Sequence, residues 1–262
     1  MRTRVARVGS ILLVVVALAL VAFALWANTP LSPSGEALAA LTSDAGVIVM
    51  EGPWITFLPG AVQSSTGLVL YPGGRVDPRA YAPPARALAE RGFAVVIVPM
   101  PLNLAVLAPG RAEAVIAAYP DIETWAIGGH SLGGAMAANF VSRRQGMVDG
   151  LVLWAAYPAS GDDLSARDDL VVLSVYATRD GLMTEEERIE SVSRLPAEAC
   201  WAAIEGGNHA QFGAYGAQRG DNPAELTAVA QWAQIVEATA AFLQGLGDSV
   251  SGTSFTCFEG ES

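Results

Sequence analysis

Ser131, Asp180 and His209 are the residues of this chain whose types and order suit nucleophilic acyl transfer. Ser131 stands in Gly129-His130-Ser131-Leu132-Gly133-Gly134, a G-x-S-x-G string that ends an apolar run and opens an amphipathic one. That context places a serine on a sharp strand-to-helix turn, where glycines leave room for the strained backbone and the approaching helix. A serine hydroxyl is a poor nucleophile at neutral pH, so an imidazole must take its proton and a carboxylate must hold that imidazole in one tautomer. The chain has two histidines. His130 lies inside the turn, and its place beside Ser131 aims it away from the serine oxygen. His209, in a Gly-rich loop after the last apolar run, is therefore the expected base. The carboxylate should follow the preceding run, where Asp180 sits in Thr178-Arg179-Asp180-Gly181. Asp162 and Asp163 are the fallback, whereas Asp168 and Asp169 precede that run and fall at its wrong end.

Acyl transfer also needs backbone N–H groups aimed at the developing oxyanion. Leu132, first in the helix after the nucleophile, supplies one. The second is expected from Tyr71-Pro72-Gly73-Gly74-Arg75, since Pro72 has no N–H to give and paired glycines allow close approach; Gly74 is the first choice, Gly73 or Arg75 the others.

These residues need elements to hold them. Eight short apolar runs bounded by Gly or Pro read as strands: 47–50, 54–58, 67–71, 93–98, 125–128, 151–155, 170–176 and 200–204. Longer amphipathic stretches read as helices over 78–91, 110–118, 132–145, 184–195 and 224–246. The first two strands are separated by only Glu51-Gly52-Pro53 and look like a hairpin; thereafter strand and helix alternate, the mark of a parallel sheet covered on both faces. The expected class is α/β, with a mostly parallel eight-stranded sheet. In such sheets ligands bind at the carboxyl ends of the strands, where all the candidate residues fall.

Composition sets the wider limits. A chain of 262 residues, 52% hydrophobic and 16% charged, is not disordered. A formal net charge of −11 makes nucleic acid an unexpected partner. Residues 11–27 carry no charge and follow Arg2, Arg4 and Arg7. Seventeen residues span about 26 Å as a helix, near the lower limit for a bilayer core. Basic flanks stay in the cytoplasm, so this segment is expected to be a transmembrane or signal helix, anchoring the catalytic part outside the cytoplasm or releasing it if cleaved. The chain divides into 1–27, flank and apolar segment; 28–45, linker and entry helix; 46–247, catalytic domain; and 248–262, tail. In an exported domain Cys200 and Cys257 are expected to form a disulfide. No metal or other cofactor is expected.

The strings Gly129 to Gly134, Tyr71-Pro72-Gly73-Gly74, Arg179-Asp180-Gly181 and Gly206-Gly207-Asn208-His209 resemble the α/β-hydrolase superfamily. Tyr71 to Pro78, Val98 to Ala105 and Glu205 to Gly216 resemble the bacterial α/β-hydrolase fold family 5. The likeness covers about residues 47–246 and implies the same nucleophile, acid and base. The related dienelactone hydrolases carry Cys at the turn, so the serine here argues against their lactone chemistry. Only about fourteen residues separate the sixth strand from the seventh, leaving no room for a cap domain and implying an open pocket. Met100 to Leu104 could line its wall or join the core. The expected activity is hydrolysis of a small carboxylic ester through an acyl-enzyme. The alternatives are acyl transfer with the same triad, or a catalytically silent scaffold used for binding.

Overall fold

The computed structural model of the chain describes residues 2–60 and 63–250. Its centre is an eight-stranded sheet: β1 (Val47–Glu51), β2 (Ile55–Pro59), β3 (Thr66–Tyr71), β4 (Ala94–Ile97), β5 (Thr124–His130), β6 (Gly150–Trp154), β7 (Val171–Ala177) and β8 (Cys200–Ile204). The strand order is β1-β2-β4-β3-β5-β6-β7-β8. β2 runs antiparallel to both β1 and β4, and every other pairing is parallel. The expected hairpin start and parallel remainder are both present.

The helices are α1 (Arg2–Ala27), α2 (Gly35–Ala39), α3 (Ala82–Glu90), α4 (Ala112–Ala118), α5 (Leu132–Arg143), α6 (Glu185–Val192) and α7 (Ala228–Val250). Several are shorter than their amphipathic stretches because a 3₁₀ turn comes first: 78–81 before α3 and 109–111 before α4. α3 then places Pro83 in its first turn, where the absent N–H has no intrahelical acceptor to lose. Helices on both sides bury the sheet. Leu68, Leu70, Ile97 and Trp154 join one apolar cluster with α3 and α7, while Val69, Ile127, Leu151 and Leu153 join another with α4 and α5. β3 and β5 are buried at every position, which is why their runs lack polar alternation.

At the N-terminus the structure stops short of the expected span. Among the described residues no helix is long and apolar enough to cross a membrane. From residue 11 onward the side chains of α1 nonetheless stand out from the body, with Leu13 71% and Leu25 66% exposed, and among these described residues only Ala27 at the end of the helix is buried. Cys200 opens β8 in the core, and among the described residues no cysteine is free. Cys257, its expected partner, lies outside the described residues.

Candidate active site

The turn from β5 into α5 holds Ser131 at φ 52° and ψ −123°, a conformation that costs a non-glycine residue about 1–3 kcal/mol and presents its side chain at the strand's carboxyl end. Only glycines allow the surrounding backbone to close on this turn. A Cβ on Gly133 would lie 2.1 Å from the carbonyl oxygen of Tyr71 and 2.4 Å from that of Pro72.

Asp180 and His209 meet although 29 residues separate them. His209 Nδ1 is 2.7 Å from Asp180 Oδ2, and both side chains are almost fully buried. Asp180 Oδ1 accepts the N–H groups of Leu182 and Met183 at 2.8 and 2.7 Å, which fixes the carboxylate plane. With Nδ1 committed to the carboxylate, Nε2 is the nitrogen left to act, and it is buried without a partner. Ser131 and His209 line one pocket of about 250 Å³, together with Leu132, Ala156, Tyr157 and Met183. The fallback acids are elsewhere. Asp162 accepts hydrogen bonds from Asn139 and Ser142 on α5, and Asp163 accepts one from the Ser165 N–H.

Two of the three candidate oxyanion donors after β3 are already used. The Gly73 N–H donates to the Tyr81 hydroxyl at 2.9 Å, and the Arg75 N–H donates to the carbonyl of Asn103 at 2.8 Å. Neither use involves Gly74. Its N–H has no acceptor among the described residues. The Leu132 N–H, first in α5, has no intrahelical acceptor either.

Sequence reasoning missed how this loop is held. The Tyr81 hydroxyl, which accepts from the Gly73 N–H, also shares a hydrogen bond of 2.8 Å with His130 Nδ1. His130 is thus tied to the loop after β3 through Tyr81, and it is not idle. Its ring lies 4.5 Å from that of His209, centroid to centroid, and stacks on Phe212. A Cβ on Gly73 would come within 3 Å of both His130 Nδ1 and the Tyr81 hydroxyl, so the loop needs glycine for close approach. Burial, and then the neighbouring His209, hold the His130 pKa well below the usual 6.5.

This has a consequence for stability. A buried neutral imidazole binds fewer protons than the unfolded chain below pH about 6.5, so its contribution is intact above that pH and is lost as pH falls. For one proton the slope is at most about 1.4 kcal/mol per pH unit. Thermal unfolding followed from pH 7 to pH 5 should show a steep fall in Tm, and His130→Gln should flatten it.

Asp221 was missed as well. Its Oδ1 accepts from the N–H of Gly181 at 3.0 Å and of His209 at 3.3 Å, and its Oδ2 from that of Ala210 at 2.8 Å. One carboxylate therefore ties the Asp180 loop to the His209 loop. No local pattern could have announced this, because the bonds run to two separate loops.

Non-glycine residues with left-handed backbone also gather here: Arg75, Leu102, Asn103, Ser131 and Ala155. Strain of this kind collects where function fixes a geometry that packing alone would not choose. Between β6 and β7 the chain forms no helix, so nothing there builds a cap. Met100 belongs to the core, while Leu104 faces a pocket beside Leu132.

A serine-bearing turn at the carboxyl end of a mostly parallel sheet, with a carboxylate-held imidazole beside it, defines the α/β-hydrolase class. The chain belongs to the alpha/beta hydrolase family, whose family model matches residues 67–233, and it is a hydrolase. Among solved structures it is similar to the carboxylesterase CesB (YbfK) from Bacillus subtilis, with a TM-score of 0.51 and 12% identity over 66% of this chain and 88% of that one. At that identity the likeness concerns the fold. No curated protein matches the sequence.

Proposed function

We propose that this protein is a serine hydrolase acting on small carboxylic esters through an acyl-enzyme. The observation that carries the reading is the bond between His209 Nδ1 and Asp180 Oδ2, with Nε2 left unpaired in the pocket that Ser131 also lines. In this mechanism Ser131 attacks the ester carbonyl as His209 takes its proton. The oxyanion is held by the N–H groups of Leu132 and Gly74. Collapse breaks the ester C–O bond, and His209 returns the proton to the departing alcohol. Water activated by His209 then releases the acid.

Turnover of p-nitrophenyl acetate and butyrate by the full chain tests this reading. Release of both the phenol and the free acid is the expected result, and the absence of turnover on any ester would contradict it. Asp221 touches no reacting atom in this scheme, but it sets the distance between acid and base. Asp221→Ala should lower kcat about 10- to 100-fold with KM nearly unchanged, because small misplacements of catalytic groups cost on this order. A change in KM alone would count against that role.

The same proposal places α1 in the cytoplasmic membrane, with Arg2, Arg4 and Arg7 inside and the sheet outside. Exposed apolar side chains along residues 11–26 support it. Reporter fusions after Ala27 should be active only for the exported type. A bond between Cys200 and Cys257 fits an exported domain, and alkylation without reductant should then find no free thiol.

A further inference from the structure

The residue that begins the candidate oxyanion helix, Leu132, lines two pockets. One, of about 250 Å³, also contains Ser131 and His209; the other, of about 430 Å³, is lined by Trp26, Leu31, Gly74, Arg75 and Leu104 among others. We propose that the second is the acyl-chain pocket of the enzyme and that Trp26, the penultimate residue of the N-terminal helix, forms its wall. The inference rests on the serine-hydrolase reading and adds to it a substrate class: esters of a linear aliphatic acid of medium length.

The direction of the ester follows from the proton. His209 must return its proton to the alcohol oxygen, so the alcohol leaves on the side that His209 lines. The carbonyl oxygen sits at the N–H groups of Leu132 and Gly74, and the remaining substituent, the acyl chain, runs past Leu132 and Gly74 into the second pocket. Trp26, Leu31, Leu104 and Leu132 offer it apolar contact.

The wall is built, not incidental. The Arg75 guanidinium lies over the Trp26 ring, 4.2 Å from its centroid. Its Nε donates to the Trp26 carbonyl at 2.9 Å and its Nη2 to the Thr29 carbonyl at 2.6 Å. Asn103 Nδ2 donates to the Ala27 carbonyl at 2.9 Å. Arg75 and Asn103 both adopt left-handed backbone, and the Arg75 N–H bonds the Asn103 carbonyl. Two strained non-glycine residues thus turn their side chains onto the last turn of α1 and the residues just after it. Glycine would adopt those angles without strain but could make none of these contacts. The end of the apolar helix is held against the catalytic loop by groups that serve no other described contact.

The test is the ratio of kcat/KM for octanoyl over acetyl p-nitrophenyl esters, measured on the full chain. Trp26→Ala should lower that ratio about tenfold, the discrimination a few apolar contacts supply, and Trp26→Phe should restore most of it. Arg75→Gly keeps the left-handed backbone while deleting the clamp, and should lower the ratio as well, which guards against a Trp26 variant that does not fold. Ile189→Ala, on the exposed side of α6, should leave the ratio as it was. An unchanged ratio in both Trp26→Ala and Arg75→Gly, with ester turnover intact, overturns the pocket assignment alone. Failure of the unaltered chain to hydrolyse any ester overturns both this assignment and the hydrolase reading.

Discussion

Replacing Ser131 by Ala is expected to lower kcat/KM for short acyl esters by about 10⁴-fold or more, while Tm stays within a few degrees of the unaltered chain. The size follows from what the serine does in the proposed mechanism: without its oxygen no acyl-enzyme forms, and only binding and the oxyanion donors remain. The sparing of stability needs a separate reason. Ser131 makes no side-chain cap to α5, and its strained backbone is imposed by the close packing of Gly129, Gly133 and Gly134 against neighbouring backbone. Alanine at φ 52° is no worse placed than serine, so parallel kinetics and thermal melts should separate chemistry from folding.

Asp180→Asn is the second large effect, a loss of about 10³- to 10⁴-fold in kcat. Two backbone donors decide how the amide sits. The N–H groups of Leu182 and Met183 both point at the Oδ1 position, so the asparagine carbonyl must occupy it. The amide NH₂ then takes the Oδ2 position and donates to His209 Nδ1. An imidazole that accepts at Nδ1 carries its proton on Nε2, the nitrogen that should receive the proton of Ser131. The variant keeps its geometry and loses its base. Activity should rise with pH no faster than hydroxide itself permits, and structure by circular dichroism should not change. A loss below tenfold would mean that Asp180 does not set the tautomer.

The fold was legible because its strands are short apolar runs cut by Gly and Pro, a pattern that only a doubly covered sheet requires. β8 begins and ends where its run does, at Cys200 and Ile204. Boundaries moved where a 3₁₀ turn preceded a helix, since such turns share the composition of the first helical turn; Pro78–Tyr81 before α3 is the clearest case. In the site, Ser131, Asp180 and His209 could be chosen from type and order along the chain. Tyr81, His130 and Asp221 could not be given their places, because each acts through bonds to loops far away in sequence. The same limit hid Arg75 and Asn103. Left-handed backbone at a non-glycine residue has no local signature, and their grip on the end of α1 depends on where a helix some fifty residues or more earlier comes to rest.

Mass-spectrometric mapping of a fluorophosphonate adduct on the full chain tests the central claim most directly. A single adduct on Ser131, absent from Ser131→Ala and slowed at least a hundredfold in His209→Ala, is the predicted result; no adduct, or one that persists in Ser131→Ala, would contradict it.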